Sequence, residues 1–536
     1  MLQSKMKKRR LLLISTIVPA VFALSGCAFL NLIRGQQEEI VVDLPKIETV
    51  SSMKINLQGR KEKSLYPTLS NNSVKNPEFL FSSSDSSVAT VSSEGVVTGL
   101  KVGETYITIT LKTNTQVKAT VKVSVKDEPI KHYDYTIMFY MCGSDLEYNP
   151  DDEPEERHAF FSEDIREILS VPNIPDEVKI IIETGGTTHW SMPSEYLKDT
   201  TKISSTNLQR WEVDNESNKL MWIETLPTNY MASENSFSEF LSWGLDDYPA
   251  DQMGVVMSGH GGGIAGCAYD DNYTVKVGKQ NWQRTLRTFE VANAAKTALA
   301  NSEREKFTWI GYDCCVMQCA DIATINSDYF DYMVASQENE AATGWNHDVY
   351  LPSLYLNPSI TPTEFLPKIC DAFILDNHRD GETGDYVCYQ TLSVLDLSKA
   401  DELVTTFESL CSQLRSDSIA FSKAETAYKR SLNTFGDKIF GLADFNSMMT
   451  ELKSIDPLLD TQSVKNVINS MVLYKKNCDN YSLEPCGVNL FFPLSLKPRE
   501  YILQVGKEDY SNSLSTKFSK WQNMCVTYGK FGWDAI

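Results

Sequence analysis

Positive charge is scarce in this chain: 50 Lys and Arg stand against 71 Asp and Glu, a formal net charge of −21. That sign argues against nucleic acid as a partner, because phosphate contacts need a basic surface. Beyond the first 27 residues no stretch reaches the ~20 apolar residues that span a bilayer. There is no G-x-x-x-x-G-K-[ST] loop and no dinucleotide fingerprint, which removes the usual signatures of nucleotide chemistry. No C-x-x-C pair marks a zinc clamp and no D-x-D-x-D-G loop marks a calcium site. Histidine is sparse as well, and five of the six, His132, His158, His189, His347 and His378, are scattered and read as surface or loop residues. No internal repeat is evident.

What is present begins with a targeting pattern. Lys5, Lys7, Lys8, Arg9 and Arg10 precede an apolar run from Leu11 to Leu24, and Leu24-Ser25-Gly26-Cys27 closes it with small residues. This is the pattern of a secretory signal, and its ending resembles the bacterial lipobox. The resemblance implies cleavage before Cys27 and lipidation of that residue. It also implies an extracytoplasmic place in the bacterial cell envelope, lipid-anchored to the membrane. The competing reading is an ordinary signal or membrane anchor with an incidental cysteine. Residues 1–26 are then the signal and 27–44 a polar, lipidated tether. Eleven of the 12 cysteines lie beyond Cys27, an odd number that leaves room for at least one free thiol. Their irregular spacing speaks against a disulfide scaffold.

With 536 residues, 42% of them hydrophobic, the chain calls for two or three domains. Over residues 45–127 the pattern is short alternating runs between Ser, Asn and Gly: Val88–Val91, Gly95–Thr98, Tyr106–Thr110 and Val117–Val125. Strands at that spacing predict a small antiparallel sandwich. The run S-S-D-S-S-V-A-T-V-S-S-E-G-V-V-T-G-L-K-V-G-E-T-Y-I-T-I-T at 83–110 resembles the bacterial immunoglobulin-like domain of the second group, which implies a spacer or adhesion role. After the linker Lys126–Lys131 the pattern changes. Buried-type strands at Tyr135–Met141, Val178–Glu183, Gly254–Met257, Phe307–Tyr312 and Met333–Ser336 alternate with helical stretches at Phe160–Leu169, Ser236–Gly244 and Phe289–Leu299. That alternation predicts an α/β fold, a mostly parallel sheet with helices on both faces. Residues 128–400 form its core. Residues 401–536, mainly helical (Ala400–Leu414, Ser463–Leu473) with a late strand at Gly487–Phe492, pack on the sheet or extend it.

Two of the strands end in reactive side chains. V-V-M-S-G-H-G-G-G places His260 in a glycine run, and W-I-G-Y-D-C-C-V-M carries Cys314 and Cys315. A cysteine nucleophile needs thiolate character, a base within reach and donors for the oxyanion. A helix expected from Val316 to Ile325 would lower the Cys315 thiol pKa through its amino-terminus. The N–H groups of Gly261 and Cys315 are the oxyanion donors, and the glycines admit substrate backbone without a Cβ clash. The histidine precedes the cysteine by 55 residues (315 − 260). A zinc site from His260, Cys314, Cys315 and Cys319 is the rival reading, weakened because adjacent cysteines chelate awkwardly. Asp270 and Asp271 read as loop polarity rather than a second acidic patch.

Four stretches together resemble the clostripain family of cysteine peptidases, which share the caspase-like fold: Y-T-I-M-F-Y-M-C-G-S-D-L-E (135–147), S-G-H-G-G-G (258–263), G-Y-D-C-C-V-M (311–317) and A-S-Q-E-N-E…G-W (335–345). The likeness spans roughly residues 134 to 500 and implies His260 as general base and Cys315 as nucleophile. Cys314 stands where the family motif has alanine, which keeps it open as an alternative nucleophile. Members cleave after Arg or Lys, so the partners implied are proteins or peptides with those residues at P1. Asp313 is the expected reader of that charge, with a structural cap on the following helix as the other reading. Some relatives cut themselves between the histidine and cysteine strands, where Lys276 and Lys279 lie here. Some use calcium, although no site for it is identifiable in this sequence and no cofactor is otherwise expected. The alternative function is a non-enzymatic surface adhesion lipoprotein with an inactive peptidase fold.

Overall fold

Alternation of β-branched and small polar residues makes two-faced strands at the amino-terminal end. The computed structural model describes residues 45–531 except 71–73, 154–156, 199, 201, 278–279, 376–389, 416, 434, 436–439, 479–483, 494–509 and 530. The expected signal and tether, Cys27, Lys279 and His378 therefore lie outside the described residues. A four-stranded sheet in the order Ser52–Asn56, Lys118–Lys126, Gly103–Leu111, Phe79–Ser83 packs on a three-stranded one, Glu62–Ser64, Val96–Gly99, Ala89–Val91. Every second residue points inward. Ile107 and Ile109 on one strand and Val121 and Val123 on the next are fully buried, the pattern of two sheets sharing a thin core.

The continuous apolar runs build a nine-stranded sheet. Its centre is five parallel strands in the order Val178–Gly185, Tyr133–Cys142, Ala250–Ser258, Phe307–Asp313, Phe330–Ala335. Gln209–Asp214 and Lys219–Thr225 add antiparallel at one flank, Thr391–Asp396 and Val472–Asn477 at the other. Parallel pairing thus holds at the centre, where helices cover both faces, and gives way to antiparallel strands at the flanks. Along Tyr133–Cys142, Met138, Tyr140 and Cys142 join the core under helices Glu234–Asp247 and Thr288–Leu299. Ile137, Phe139 and Met141 join the core under Phe160–Ser170, His347–Leu356 and Pro362–Leu375.

From Tyr133–Cys142 the chain first adds a strand on one side, Val178–Gly185, and later one on the other, Ala250–Ser258. The strand order reverses between the first and last of these. In open α/β sheets ligands bind beyond the carboxyl ends of the strands at such a switch point.

The carboxyl-terminal helices extend the same core, with Phe407 edge-on to Phe445 and Phe518. A small sheet of Leu442–Asp444 and Asn489–Phe491 pins the loops that follow the central strands. There Asn489 donates through its backbone N–H to the Gln318 carbonyl at 2.8 Å and through Nδ2 to the Gln337 carbonyl at 2.9 Å.

The β-sandwich is joined to the main sheet through buried charge. Arg60 bonds Glu224 at 2.5 Å, and Glu224 also receives Arg210, which bonds Glu183 at 2.7 Å. Burial would push the Glu224 carboxyl up, but Arg210, Arg60 and Lys63 outweigh it and hold it at about 2. Lys46–Ile536 accordingly forms one compact unit. Among the described residues no helix is long and apolar enough to cross a membrane.

Candidate active site

Strand register brings His260 and Cys315 to the same edge. Ser258 pairs with Asp313, so each reactive residue lies two positions beyond one matched pair. The Gly259 N–H bonds the Asp313 carbonyl at 3.2 Å, carrying the pairing one residue further. A Cβ on Gly261 would stand 2.2 Å from the Cys315 carbonyl oxygen and 2.8 Å from its nitrogen. The glycine is therefore required by the close approach of the two loops. His260 is about one-third exposed, its ring edge-on to Tyr269 at 5.8 Å. Its Nε2 lies 2.7 Å from Asp145 Oδ1.

The expected helix at Cys315 is not there. Val316 has a positive φ of 56°; its N–H donates to the Glu338 carbonyl at 2.9 Å and that of Gln318 to Ser336 at 2.8 Å. These bonds run the segment beside the loop after Phe330–Ala335, and the helix starts only at Ala320. No helix amino-terminus acts on the thiol. Burial pushes the Cys315 thiol up, opposed by the Glu340 N–H, which donates to Sγ at 3.3 Å. Ionisation of this cysteine thus calls for an adjacent base.

Its neighbour differs. Cys314 is buried and donates to the Met257 carbonyl at 3.2 Å. Cys319 donates to Asp321 at 3.4 Å. The four residues weighed as a zinc site are not among the metal-competent groups of the described residues, where the single such group is Asp164, Asp313 and His347.

That group belongs to a cluster of buried acidic side chains around Asp313. Asp313 is 6% exposed, with Gly344 over its carboxylate and the Trp345 N–H at 3.5 Å. It caps no helix, since none follows it directly. Burial pushes its carboxyl up to about 6. Burial and then the Asp313 charge push Glu340 well above the carboxylate range, and Asp164 on Phe160–Ser170 shifts the same way. The Glu340 and Asp313 carboxyls are close enough to interact directly, which lowers Asp313 and raises Glu340. Carboxyls crowded without a cation cannot all ionise, so part of this cluster holds its protons.

Calcium does not fit this set. One ring nitrogen and two carboxylates lie within 4.8 Å of one another, whereas calcium takes six to eight oxygens. His347, expected at the surface, is fully buried. It bonds Tyr350 Oη at 2.6 Å, and burial pulls it down to about 3, so it is neutral. An apolar helix face carries it inside, which its scattered position in the sequence concealed.

Other expectations resolve as follows. Asp270 is not loop polarity: it lies buried on strand Cys267–Val277 and accepts from the N–H groups of Met231 at 2.6 Å and Asn272 at 2.8 Å. Asp271, on the same strand, bonds Gln283 across the hairpin. Lys276 pairs with Asn281 near the tip of that hairpin. Cys478 is disulfide-bonded, while Cys314, Cys315 and Cys319 carry free thiols. Three residues of the site went unremarked in the sequence, Asp145, Asp164 and Glu340. Asp145 and Glu340 lie inside family-like stretches at strand ends, and that position was the available signal; Asp164 sits within a helical stretch that gave none.

A family model described as "Clostripain family" matches residues 139–527, and "Bacterial Ig-like domain (group 2)" matches 49–123. No curated protein matches. Among solved structures, a secreted C11 cysteine protease of Bacteroides thetaiotaomicron, "iotapain", is 16% identical with a TM-score of 0.49, covering 73% of this chain and 100% of that one. An inactive zymogen C11 protease of Parabacteroides distasonis is 16% identical with a TM-score of 0.45, covering 68% and 93%. The family match takes in well over half of the chain, from the central strand to the last described helix: the chain belongs to the clostripain family and is a cysteine peptidase.

Proposed function

We propose that this peptidase cleaves after Arg or Lys through a His260/Cys315 dyad. The observation that carries the reading is the paired strand ends, with Asp313 two positions before the thiol and the buried carboxyls of Asp164 and Glu340 grouped with it. The P1 cation meets that cluster and neutralises it. His260 takes the Cys315 proton, and the thiolate attacks the scissile carbonyl carbon. The N–H groups of Gly261 and Cys315 receive the oxyanion. Collapse breaks the C–N bond as His260 returns the proton to the leaving amine. Water, deprotonated by His260, then cleaves the thioester and releases the acid.

Hydrolysis of arginyl, lysyl and glutamyl fluorogenic peptides by the wild type and Cys315→Ala tests this. Equal turnover by both proteins removes the dyad, and preference for the acidic peptide removes the role of Asp313.

The same reading places the mature chain, from Cys27, on the outer side of a bacterial membrane, with 45–127 as a spacer ahead of the peptidase. Labelling with an alkyne fatty acid that survives Cys27→Ser refutes the anchor. Lys276 and Lys279 mark the self-cleavage segment. A fully active enzyme that mass spectrometry finds intact excludes cleavage as a requirement.

A further inference from the structure

The proposed dyad leaves one contact without a role. Asp145 meets His260 at Nε2, 2.7 Å away. An ionised carboxylate only accepts, so Nε2 carries a proton and Nδ1 is the nitrogen left to exchange one with a thiol. The hydrogen bond from His260 holds the Asp145 carboxyl below its usual range, against the opposing effect of partial burial.

The turn that presents Asp145 is fixed on both sides. Ser144 is buried in the left-handed region at φ 45°, a conformation that a side-chain-bearing residue keeps only when its surroundings impose it. Its N–H donates to the Gly186 carbonyl at 3.0 Å, and that of Gly143 to Gly185 at 2.9 Å. Two residues after Asp145, the buried Glu147 carboxyl accepts from Ser162 N–H at 2.9 Å, Ser162 Oγ at 2.6 Å and Ser191 N–H at 2.8 Å. Between these anchors the Asp145 side chain is 49% exposed and turned to His260. Its strand pairs with the histidine strand through Met141 and Ser258, so both residues emerge at the switch point of the sheet. From the hairpin strand, Tyr269 packs its ring against His260 and Asp271 adds negative charge. Asp271 is engaged by Gln283, which leaves Asp145 as the carboxylate on the ring.

We propose that Asp145 is a positioning residue for peptide hydrolysis: it holds His260 in the Nε2–H tautomer and in the orientation that turns Nδ1 to Cys315. This rests on the His260/Cys315 reading. Exposure of the pair limits the charge effect, so the hydrogen bond itself carries the role.

The test compares full-length wild type, Asp145→Ala, Asp145→Asn, His260→Ala and Cys315→Ala. One readout is hydrolysis of an arginyl fluorogenic peptide; the other is iodoacetamide labelling of Cys315 followed by mass spectrometry. Asp145→Ala should lower kcat by about 10- to 100-fold, at or below the low end of the ~10²- to 10⁴-fold that the general acid–base group itself contributes, and leave KM within about twofold. Asp145→Asn offers an amide oxygen to the same N–H and should recover most of the loss. Labelling should slow in Asp145→Ala and His260→Ala alike. A kcat for Asp145→Ala within about twofold of wild type overturns the proposal, as does a loss confined to KM or an asparagine variant no better than alanine. If labelling slows in His260→Ala but not in Asp145→Ala, the dyad stands and Asp145 has no part in it. If no peptide is hydrolysed yet labelling slows in both, the substrate reading fails and the positioning role survives.

Discussion

Replacing Asp313 with asparagine should make the free enzyme more stable and a much poorer peptidase. The Asp313 carboxyl is 6% exposed and pushed to about 6 by burial, against an unfolded value near 3.9. Because the folded state holds this proton more tightly, Asp313 weakens stability progressively as pH rises from about 4 to 6, and above that the full penalty applies. The difference corresponds to on the order of 3 kcal/mol at pH 7.5. Asparagine keeps the volume and an acceptor for the Trp345 N–H while removing the charge, so that penalty disappears. In the proposed reading the same charge is what a P1 cation meets. A guanidinium at 4 Å gains about 4 kcal/mol at an effective dielectric of 20, and Asp164 and Glu340 supply part of it. A net loss of about 2–4 kcal/mol, or about 30- to 1,000-fold in kcat/KM for arginyl peptides, follows. Matched arginyl and norleucyl substrates read the second effect, and thermal melts at pH 7.5 and pH 5 read the first. The stabilisation should be clear at pH 7.5 and shrink at pH 5. A variant that melts lower than wild type at pH 7.5, or that turns over arginine within about twofold, refutes this account of the cluster.

Other outcomes are expected from the same geometry. In the wild type, KM for arginyl peptides should rise as pH falls below about 6, where Asp313 takes up its proton; a flat KM between pH 5 and 7 contradicts this. Cys314→Ala should keep activity within about threefold, since its thiol is tied to Met257; loss comparable to Cys315→Ala would move the nucleophile. Gly261→Ala should abolish turnover, because its Cβ meets the Cys315 carbonyl at 2.2 Å, and a fully active variant would show that the loops are not so closely set. Arg60→Met should destabilise the protein by about 2–3 kcal/mol by leaving Glu224 short of a buried partner, as chemical denaturation would read.

Much of the fold was legible because the central strands are buried on both sides. Tyr133–Cys142 and Phe307–Asp313 carry continuous apolar runs that few other structures accommodate. The candidate site lies where strands stop, at His260 and Cys315. It was misread after Cys315, where local preference suggested a helix and backbone bonds to Ser336 and Glu338 instead hold a turn. Propensity is a weak prior when a neighbouring loop offers competing partners. His347 and Asp270 were misread for a related reason: polar residues in short, mixed segments give no sign of burial until the elements above them are in place.

Sequence alone determined the alternation of strand and helix and put a histidine, a cysteine and an acidic residue two positions before the cysteine at strand ends, because periodicity and strand ends are local properties. Tertiary structure decided what those residues face. Register set the histidine and cysteine loops against each other, and the turn at Ser144 carried Asp145 to the imidazole. Packing of Phe160–Ser170 and His347–Leu356 over the sheet gathered Asp164, His347 and Asp313 in one buried place. Burial and pairing between residues more than a hundred positions apart are properties of the assembled layers, which no local pattern contains.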